Sequence, residues 1–298
     1  MDSAVRYVDR RTGEVCTEQI YGEASLRWVY ESALGRLALE GVVKRALFSR
    51  LYGWLMSRPG STRRIAPFLA QYGVDPAEFA DPVGTFRSFN DFFVRRLKPE
   101  ARPVDPDPAV VVFPADGRHL VFPDVSALDG IYAKGQRLSL PELFGDAALA
   151  ARYERGALVI SRLCPVDYHR FHFPVGGIPS APRLINGPLY SVNPIALRRC
   201  IGILAENKRV LTRLSSESVG EVLILEVGAT NVGSIVQTAE AGRAVAKGAE
   251  KGYFAFGGSM TMVFFEPGRV RLDEDLVATS RGGLECYARM GERLGTVA

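Results

Sequence analysis

The segments that most constrain the fold are short, β-branched or aromatic, and lie after about residue 105. Gly, Pro and Asn separate them, and these residues favour turns between strands. Strands are predicted over residues 110–113, 119–122, 158–163, 222–227, 233–238 and 261–265. One helix, over residues 141–155, is expected to interrupt them. The pattern predicts a β-rich domain with mostly antiparallel strands.

Helical periodicity dominates the chain before that point. Helices are predicted over residues 24–39, 42–56, 65–72 and 89–96, with Pro59-Gly60 as a breaker. A chain of 298 residues with 47% hydrophobic content can bury a substantial core. We therefore expect an α+β fold, with a helical N-terminal region over residues 1–104 and a β-rich domain over residues 105–298.

A serine preceded by two glycines is the strongest candidate for a reactive residue. Gly257 and Gly258 can adopt backbone angles closed to other residues, which would present the Gly258 carbonyl to the Ser259 hydroxyl. Attack by Ser259 would turn the amide into an ester. β-Elimination would then cut the chain and leave a dehydroalanine, which hydrolyses to a pyruvoyl group. These residues alone favour the simpler interpretation, a hairpin turn before the strand at 261–265.

Two of the three histidines, His169 and His172, lie in one short segment, residues 167–174. Histidine moves protons near neutral pH, and a serine hydroxyl needs an adjacent base to become a nucleophile. Asp167 and Asp116 are candidates for the carboxylate that would orient such a base. Structural roles compete with this interpretation, since both histidines could be core side chains and an Asp-Gly pair at 116 is common in turns.

A metal site is not predicted. The third histidine, His119, is distant in sequence from the other two, and no Cys, Asp or Glu cluster has the usual ligand spacing.

Together these segments resemble the phosphatidylserine decarboxylase family of pyruvoyl-dependent enzymes. The resemblance covers roughly residues 85–270 and follows the family's order along the chain. The matching strings are FNDFFVRRLKP at 89–99, PADG at 114–117, SLPELFG at 139–145, DYHRFH at 167–172, Asn193, NKR at 207–209, VGATNVGS at 227–234 and KGAE at 247–250, which leads into Gly258-Ser259. Any one string is weak, but several in order make coincidence improbable.

The resemblance implies roles for individual residues. Ser259 matches the serine that becomes the pyruvoyl group, with cleavage between Gly258 and Ser259 into a β chain, 1–258, and an α chain, 259–298. His172 matches the base for self-cleavage, and Asp116 matches its carboxylate partner. Asp167 would support the same histidine.

His169 matches a histidine of the decarboxylation step. The implied reaction converts phosphatidylserine to phosphatidylethanolamine and CO₂. In the family a covalent pyruvoyl group, here derived from Ser259, condenses with the substrate amine and accepts electrons as pyridoxal phosphate does. One departure concerns the cleavage string, commonly Leu-Gly-Ser-Thr in the family and Gly257-Gly258-Ser259-Met260 in this chain. The Gly-Ser pair is intact, and we expect the change to be tolerated.

Residues 36–64 contain seven Arg or Lys and one acidic residue, Glu40. Their apolar residues include Val43, Leu47, Leu51, Trp54 and Leu55 on one side at helical spacing. Such a helix can lie in a membrane interface, with basic side chains near anionic head groups. Packing on the protein's own core with a solvated basic edge explains the pattern equally well. The resemblance favours the membrane, because the implied substrate is a lipid.

No stretch reaches the ~18 to 20 apolar residues of a membrane span, and no signal peptide is predicted at the N-terminus. Peripheral attachment at the cytoplasmic side of the cell membrane is therefore expected. The four cysteines are widely spaced, which predicts reduced thiols. A nucleic-acid partner is not expected, since no known binding motif is present. By analogy alone, the family resemblance also allows a homodimer.

Two other functions remain open at this point. One is a pyruvoyl-dependent decarboxylase of another amino-acid head group or of a soluble amino acid. The other is a non-catalytic β domain, or a serine hydrolase that uses Ser259, His172 and Asp116 without self-cleavage.

Overall fold

A computed structural model describes residues 4–128, 138–230, 235–257 and 259–298. Gly258 and the first part of the strand predicted over 233–238 lie outside the described residues. The α+β class is confirmed, with helices concentrated in the N-terminal third and strands in the rest.

The strands and helices of the described residues are numbered in chain order. The strands are β1 (Arg6–Asp9), β2 (Val15–Thr17), β3 (Val110–Val112), β4 (Gly117–Phe122), β5 (Ala157–Leu163), β6 (Arg170–His172), β7 (Ile178–Pro179), β8 (Arg183–Ile185), β9 (Arg209–Ser216), β10 (Gly220–Gly228), β11 (Ile235–Gln237), β12 (Glu250–Phe254), β13 (Ser259–Phe265), β14 (Val270–Leu272), β15 (Glu285–Ala288) and β16 (Arg293–Val297). The helices are α1 (Glu23–Glu31), α2 (Ala33–Ala38), α3 (Ala46–Met56), α4 (Ile65–Tyr72), α5 (Phe89–Phe93), α6 (Leu140–Phe144), α7 (Ala147–Ala151), α8 (Pro194–Leu197), α9 (Ile203–Glu206) and α10 (Glu274–Arg281).

A large sheet forms the centre of the molecule, in the order β2-β1-β15-β4-β5-β13-β10-β9-β7, with β8 also paired to β9. Its pairs are antiparallel except for β1 with β15. β13 lies in the middle, between β5 and β10. The strand that begins with Ser259 is therefore supported on both sides by backbone hydrogen bonds.

Alternating side chains give this sheet two buried faces. Met260, Met262 and Phe264 of β13 face a core that includes residues of α1 and α6–α9. Val263 and Phe265 face a second core, which includes residues of α10. Because Ser259 shares the alternation of Val263 and Phe265, its side chain is directed to the second face.

A small sheet, β11-β12-β6, packs near the start of β13. Phe171 of β6 and Phe254 of β12 form one cluster with Leu163, the residue paired with Ser259. The small sheet therefore brings His172, the last residue of β6, to the same end of the central sheet as Ser259. A third sheet, β14-β16-β3, completes the domain.

The N-terminal region differs from its prediction in two places. The helix predicted over 24–39 is broken at Ser32, whose hydroxyl caps α2 by accepting from Gly35 N–H, and a π-helical turn over Leu39–Val43 leads towards α3. The strands β1 and β2 were not predicted, and they join the central sheet beside β15. The helix predicted over 141–155 is two short helices, since Gly145 ends α6 and Asp146 caps α7.

Candidate active site

Ser259 is the first residue of β13, where the sequence predicted a turn and a strand from residue 261. Its side chain is fully buried, and its Oγ has no hydrogen-bond partner among the described residues. A buried polar atom left without a partner costs about 1–3 kcal/mol. The hydroxyl therefore does not stabilise this site, which makes it a candidate for function.

The segment before Ser259 is fixed by α5. The Phe256 N–H donates to Asn90 Oδ1 at 2.9 Å, and the Phe256 ring packs against Phe89 and Phe93 with centroids 5.2 and 4.8 Å apart. Gly257 follows with φ of 137°, a value that favours glycine. The chain thus enters the Gly-Ser pair from an anchored residue through an unusual backbone conformation, as the sequence predicted for Gly257.

His169 lies beside this segment. Its ring packs on Phe93 at 4.0 Å, and its Nδ1 donates to the Asp167 carbonyl oxygen at 3.0 Å. The lone pair is therefore on Nε2, a buried atom without a hydrogen-bond partner among the described residues. Burial lowers the pKa of His169 to about 3, and the nearby Gly257 backbone opposes this shift. The ring is a neutral imidazole that can accept a proton at Nε2.

His172 lies on β6, where its backbone N–H donates to the Pro114 carbonyl at 2.7 Å. Its ring packs against Tyr168 at 5.7 Å, and its Nδ1 has no partner within the described part of the chain. Burial lowers the pKa of His172 to about 4, against the opposing charges of Glu250 and Asp116. Neither ring nitrogen has a described hydrogen bond to Ser259.

Asp116 ends the turn between β3 and β4, two residues after the carbonyl that binds His172. Its carboxylate is buried, and it accepts Nε and Nη2 of Arg102 at 2.6–2.9 Å and the Met290 N–H at 2.9 Å. Asp116 and His172 therefore lie near each other without a hydrogen bond between the described groups.

Asp167 is the start of a buried charge network. Its carboxylate binds Arg118 Nη1 at 2.5 and 2.8 Å and the Cys164 N–H at 2.7 Å. Behind it, Arg162 binds Glu18 and Glu285, and Arg118 lies 3.5 Å from Glu18. The side chain of Asp167 thus holds the loop before β6, while its carbonyl oxygen orients His169.

A cavity of about 400 Å³ lies between the N-terminal helices and the central sheet. Leu163 and Cys164 form part of its floor, and Gly257 borders it. Because Leu163 is the ladder partner of Ser259, the cavity reaches the strand next to the candidate nucleophile. The Ser259 side chain itself is directed to the opposite face of the sheet.

The cavity is lined by both polar and apolar side chains. Its polar lining includes Glu18, Arg162, Ser191, Asn193 and Thr230. The wall contributed by the helical region is lined by Leu26, Val29, Val43, Phe48 and Tyr52. A lining of this mixed character suits a molecule with a charged head and an apolar body.

The outer surface of the same helices is also apolar. Leu47, Leu51 and Trp54 of α3 are 76, 56 and 54% exposed. Exposed apolar side chains continue along α1, α2 and the π-helical turn at Trp28, Leu34, Leu37 and Val42. Exposed arginines flank them at 36, 45, 50, 58, 63 and 64. We refer to this surface, with Leu55, as the outer apolar face; contiguous patches of this kind are rare on soluble monomers.

Comparison with known proteins decides the family. The model of the phosphatidylserine decarboxylase family matches residues 89–296. A phosphatidylserine decarboxylase proenzyme of Chlamydia pneumoniae is 46% identical over 290 residues, which cover 97% of this chain and 96% of that protein. Proenzymes of Chlamydia muridarum and Fusobacterium nucleatum are 47% and 42% identical, each over at least 96% of both chains. The chain belongs to the phosphatidylserine decarboxylase family. The predicted family resemblance is confirmed.

Some residues of this decarboxylase-family site were not singled out by sequence reasoning. Arg102, which binds Asp116, and Asn90 and Phe93, which fix Phe256 and His169, had no assigned role, although Asn90 and Phe93 lie in a string that matched the family. Arg118 and Arg162 carried no signal, because their carboxylate partners lie far away in sequence.

The remaining site expectations concern metals and membranes. No metal-binding group of His, Cys, Asp or Glu occurs within the described ranges. His119 is buried between Ser161 Oγ at 2.9 Å and the Ala288 carbonyl at 3.2 Å. Among the helices that the structure describes, none has the length and apolar character to cross a bilayer.

Proposed function

We propose that this protein is a phosphatidylserine decarboxylase that makes its own pyruvoyl group by cleaving the bond between Gly258 and Ser259. The observation that carries the proposal is the Ser259 hydroxyl at the start of β13, which is fully buried and has no hydrogen-bond partner among the described residues. A cavity of about 400 Å³ reaches Leu163, the ladder partner of Ser259. A serine hydrolase would need this oxygen to reach an external carbonyl, whereas the Ser259 side chain is fully buried.

Self-cleavage requires only groups of the chain and water. Ser259 Oγ loses its proton to a base and adds to the Gly258 carbonyl carbon. The base then gives the proton to the nitrogen of residue 259 as the C–N bond breaks, which leaves an ester and a free amine. Removal of the α-proton of residue 259 then expels the Gly258 carboxylate and leaves dehydroalanine. Addition of water and loss of ammonia produce the pyruvoyl end of the α chain, residues 259–298. The buried Ser259 Oγ, which has no hydrogen-bond partner within the described part of the chain, supports its role as the nucleophile of this sequence.

We assign the proton-transfer roles according to the family resemblance. His172 is the base that activates Ser259, and Asp116, held by Arg102, is its carboxylate partner. The lowered pKa of His172 keeps its imidazole neutral at physiological pH, so that it can accept a proton. The resemblance implied that Asp167 supports His172, whereas its carbonyl oxygen accepts from His169 Nδ1 and orients His169. His169 Nε2 serves proton transfer during decarboxylation.

The pyruvoyl group supplies the electron sink that decarboxylation of an amino acid requires. The chain's own residues bind and orient the substrate. The polar lining residues of the cavity, such as Asn193 and Thr230, suit the serine head group, and the apolar wall, with Leu26 and Phe48, suits the glycerol and the start of the acyl chains. An apolar wall also excludes water from the reacting carbon.

The outer apolar face would rest in the surface of a bilayer. Its exposed leucines and Trp54 suit the interface, and the surrounding arginines suit anionic head groups. The cavity wall and this face belong to the same helices, so a lipid could enter the cavity without leaving the membrane surface. We infer peripheral attachment to a membrane that contains phosphatidylserine.

Intact-mass analysis of the purified protein tests the proposal. We expect an α chain of residues 259–298 that begins with a pyruvoyl group, together with a β chain that ends at Gly258. Phosphatidylserine vesicles should release CO₂ and accumulate phosphatidylethanolamine. Borohydride with an amine should modify the α chain and abolish this activity.

Variants separate the two stages of the chemistry. Ser259→Ala and His172→Ala should remain full length, whereas His169→Ala should be cleaved but lose decarboxylase activity. A matched histidine control is His119→Gln, which should be cleaved and active. An active enzyme that consists of one uncut chain would contradict the proposal, and a cleaved His172→Ala protein would remove His172 from the role of base.

A further inference from the structure

Three polar side chains, of which Glu226 and Lys251 are fully buried and Gln237 is partly buried, join the small sheet to the central sheet beside Ser259. Lys251 Nζ lies 2.8 Å from Glu226 Oε1 and donates to Gln237 Oε1 at 2.7 Å. Gln237 Nε2 donates to Glu226 Oε2 at 2.9 Å. The three side chains therefore form a closed triangle, which we name the inter-sheet triangle. Lys251 and Glu226 are 1 and 0% exposed.

Lys251 reaches this position because β12 contains a bulge. In the pairing of β12 with β6, Glu250 lies opposite His172 and Gly252 lies opposite Phe171, which leaves Lys251 without a ladder partner. A bulge redirects the side chain of its extra residue. Gly252 permits β12 to approach β6 closely at the bulge, since a Cβ at this position would lie 2.8 Å from the Phe171 ring. The bulge thus turns a lysine inward on the strand beside His172.

Glu226 lies on the strand beside Ser259. It pairs with Thr261 of β13, and two residues further along the ladder Gly228 pairs with Ser259. Thr261 and Ser259 share one face of β13, so Glu226 and Ser259 are diagonal neighbours on the second face of the sheet. Such neighbours have Cα atoms about 7–8 Å apart. The triangle therefore connects the strand next to the nucleophile with the strand next to its proposed base.

Burial of this ion pair needs an explanation other than stability. Replacing a buried pair by apolar side chains of similar volume is often neutral or stabilising, so such a pair is weak support for a stability role. Unlike apolar packing, a network of directional polar contacts fixes the distance and register between the two sheets. Here those sheets carry His172 and Ser259.

We propose that Lys251, Glu226 and Gln237 are positioning residues for self-cleavage, which hold the small sheet at the register that places His172 for reaction with Ser259. This inference rests on the proposed function. None of the three side chains touches the scissile bond or transfers a proton in this scheme. Their effect is on the rate of maturation, which depends steeply on the placement of the reacting groups.

The test compares cleavage rate with stability. Glu226→Leu combined with Lys251→Met removes the charges and keeps the volume. In a Ser259→Ala background, this pair of changes should leave the denaturant midpoint of unfolding unchanged or raised. With Ser259 retained, newly translated precursor of the same double variant should be cleaved about tenfold more slowly than the parent precursor. This loss is expected when His172 is displaced relative to Ser259. Gln237→Ala, which leaves the ion pair in place, should slow cleavage less.

A matched control lies at the other end of β10. Glu221 of β10 forms an ion pair with Arg213 of β9 there, so Glu221→Leu with Arg213→Met also removes an ion pair that involves β10, away from Ser259. This control should be cleaved at the parent rate. If both the double variant and Gln237→Ala mature as fast as the parent, the positioning role is wrong while the proposed function stands. A parent chain that never cleaves would overturn both.

Discussion

In the proposed mechanism, the protonation state of His172 determines how self-cleavage depends on pH. Burial lowers its pKa to about 4, compared with about 6.5 for an ordinary histidine. A base works only in its unprotonated form, so lowering its pKa extends the range of useful pH to more acidic values. The cost is a weaker base, which its carboxylate neighbours partly offset.

We therefore predict a flat pH profile for precursor cleavage between about pH 5.5 and 7.5, with a fall below about pH 4.5, because the imidazole becomes protonated only there. The measurement is the half-life of newly translated precursor across this range. Circular dichroism of Ser259→Ala at each pH would confirm that the precursor remains folded. A rate that halves near pH 6.5 would show that the base is an unperturbed histidine.

At the level of elements, α3 has two apolar sides with different surroundings. Phe48 and Tyr52 line the cavity, while Leu47, Leu51 and Trp54 face outward. The sequence predicted the outward stripe at helical spacing, except that Val43 turns to the cavity. It could not decide between core and membrane, because periodicity gives the direction of a side chain and not what covers it.

Replacing Leu47, Leu51 and Trp54 together by Ser should weaken binding to phosphatidylserine vesicles by at least about tenfold, since burial of one large apolar side chain contributes about 1.5–3 kcal/mol. Vesicle sedimentation measures this binding. Self-cleavage should be unaffected, because these side chains lie away from β13.

The matched control for this prediction is Ile178→Ser with Leu184→Ser. These side chains are 50 and 51% exposed, comparable to Leu51 and Trp54, but lie on β7 and β8. Vesicle binding should be unchanged in this control. Equal losses in both sets of variants would mean that hydrophobicity in general, rather than the outer apolar face, governs attachment.

The limits of sequence reasoning follow from the same elements. β5, β10 and β13 were predicted, because buried central strands are long and rich in β-branched or aromatic residues. β1 and β15 were missed, since they are short and their parallel pairing joins segments nearly 280 residues apart. The residues of the site were selected by local strings, whereas Arg102 and the inter-sheet triangle depend on contacts that no local pattern encodes.

At the scale of the whole molecule, the proposed cut would divide the central sheet between two chains. The α chain would contain β13, β14, β15, β16 and α10. β13 pairs with β5 and β10, β15 with β1 and β4, and β16 with β3, so each of these strands has a partner on the β chain. The two chains share one core.

We accordingly predict that a tag on the α chain retains the β chain through washes at 1 M salt, where ion pairs are screened within about 3 Å. The chains should separate only at the denaturant concentration that unfolds the protein, as followed by tryptophan fluorescence. Release of the β chain at high salt without loss of structure would mean that surface ion pairs, such as Arg10 with Asp275, hold the chains together.

The position of the cavity behind the outer apolar face has a kinetic consequence. An enzyme that takes its substrate directly from a bilayer responds to the mole fraction of substrate in that bilayer. Its rate does not depend on the bulk concentration of the lipid. Diluting phosphatidylserine with an inert lipid at constant total lipid should therefore slow turnover, whereas adding buffer should have little effect while the protein stays adsorbed. Because the product would return to the same leaflet, turnover would lower the mole fraction of phosphatidylserine there. The lipid composition of the bilayer would therefore set the rate.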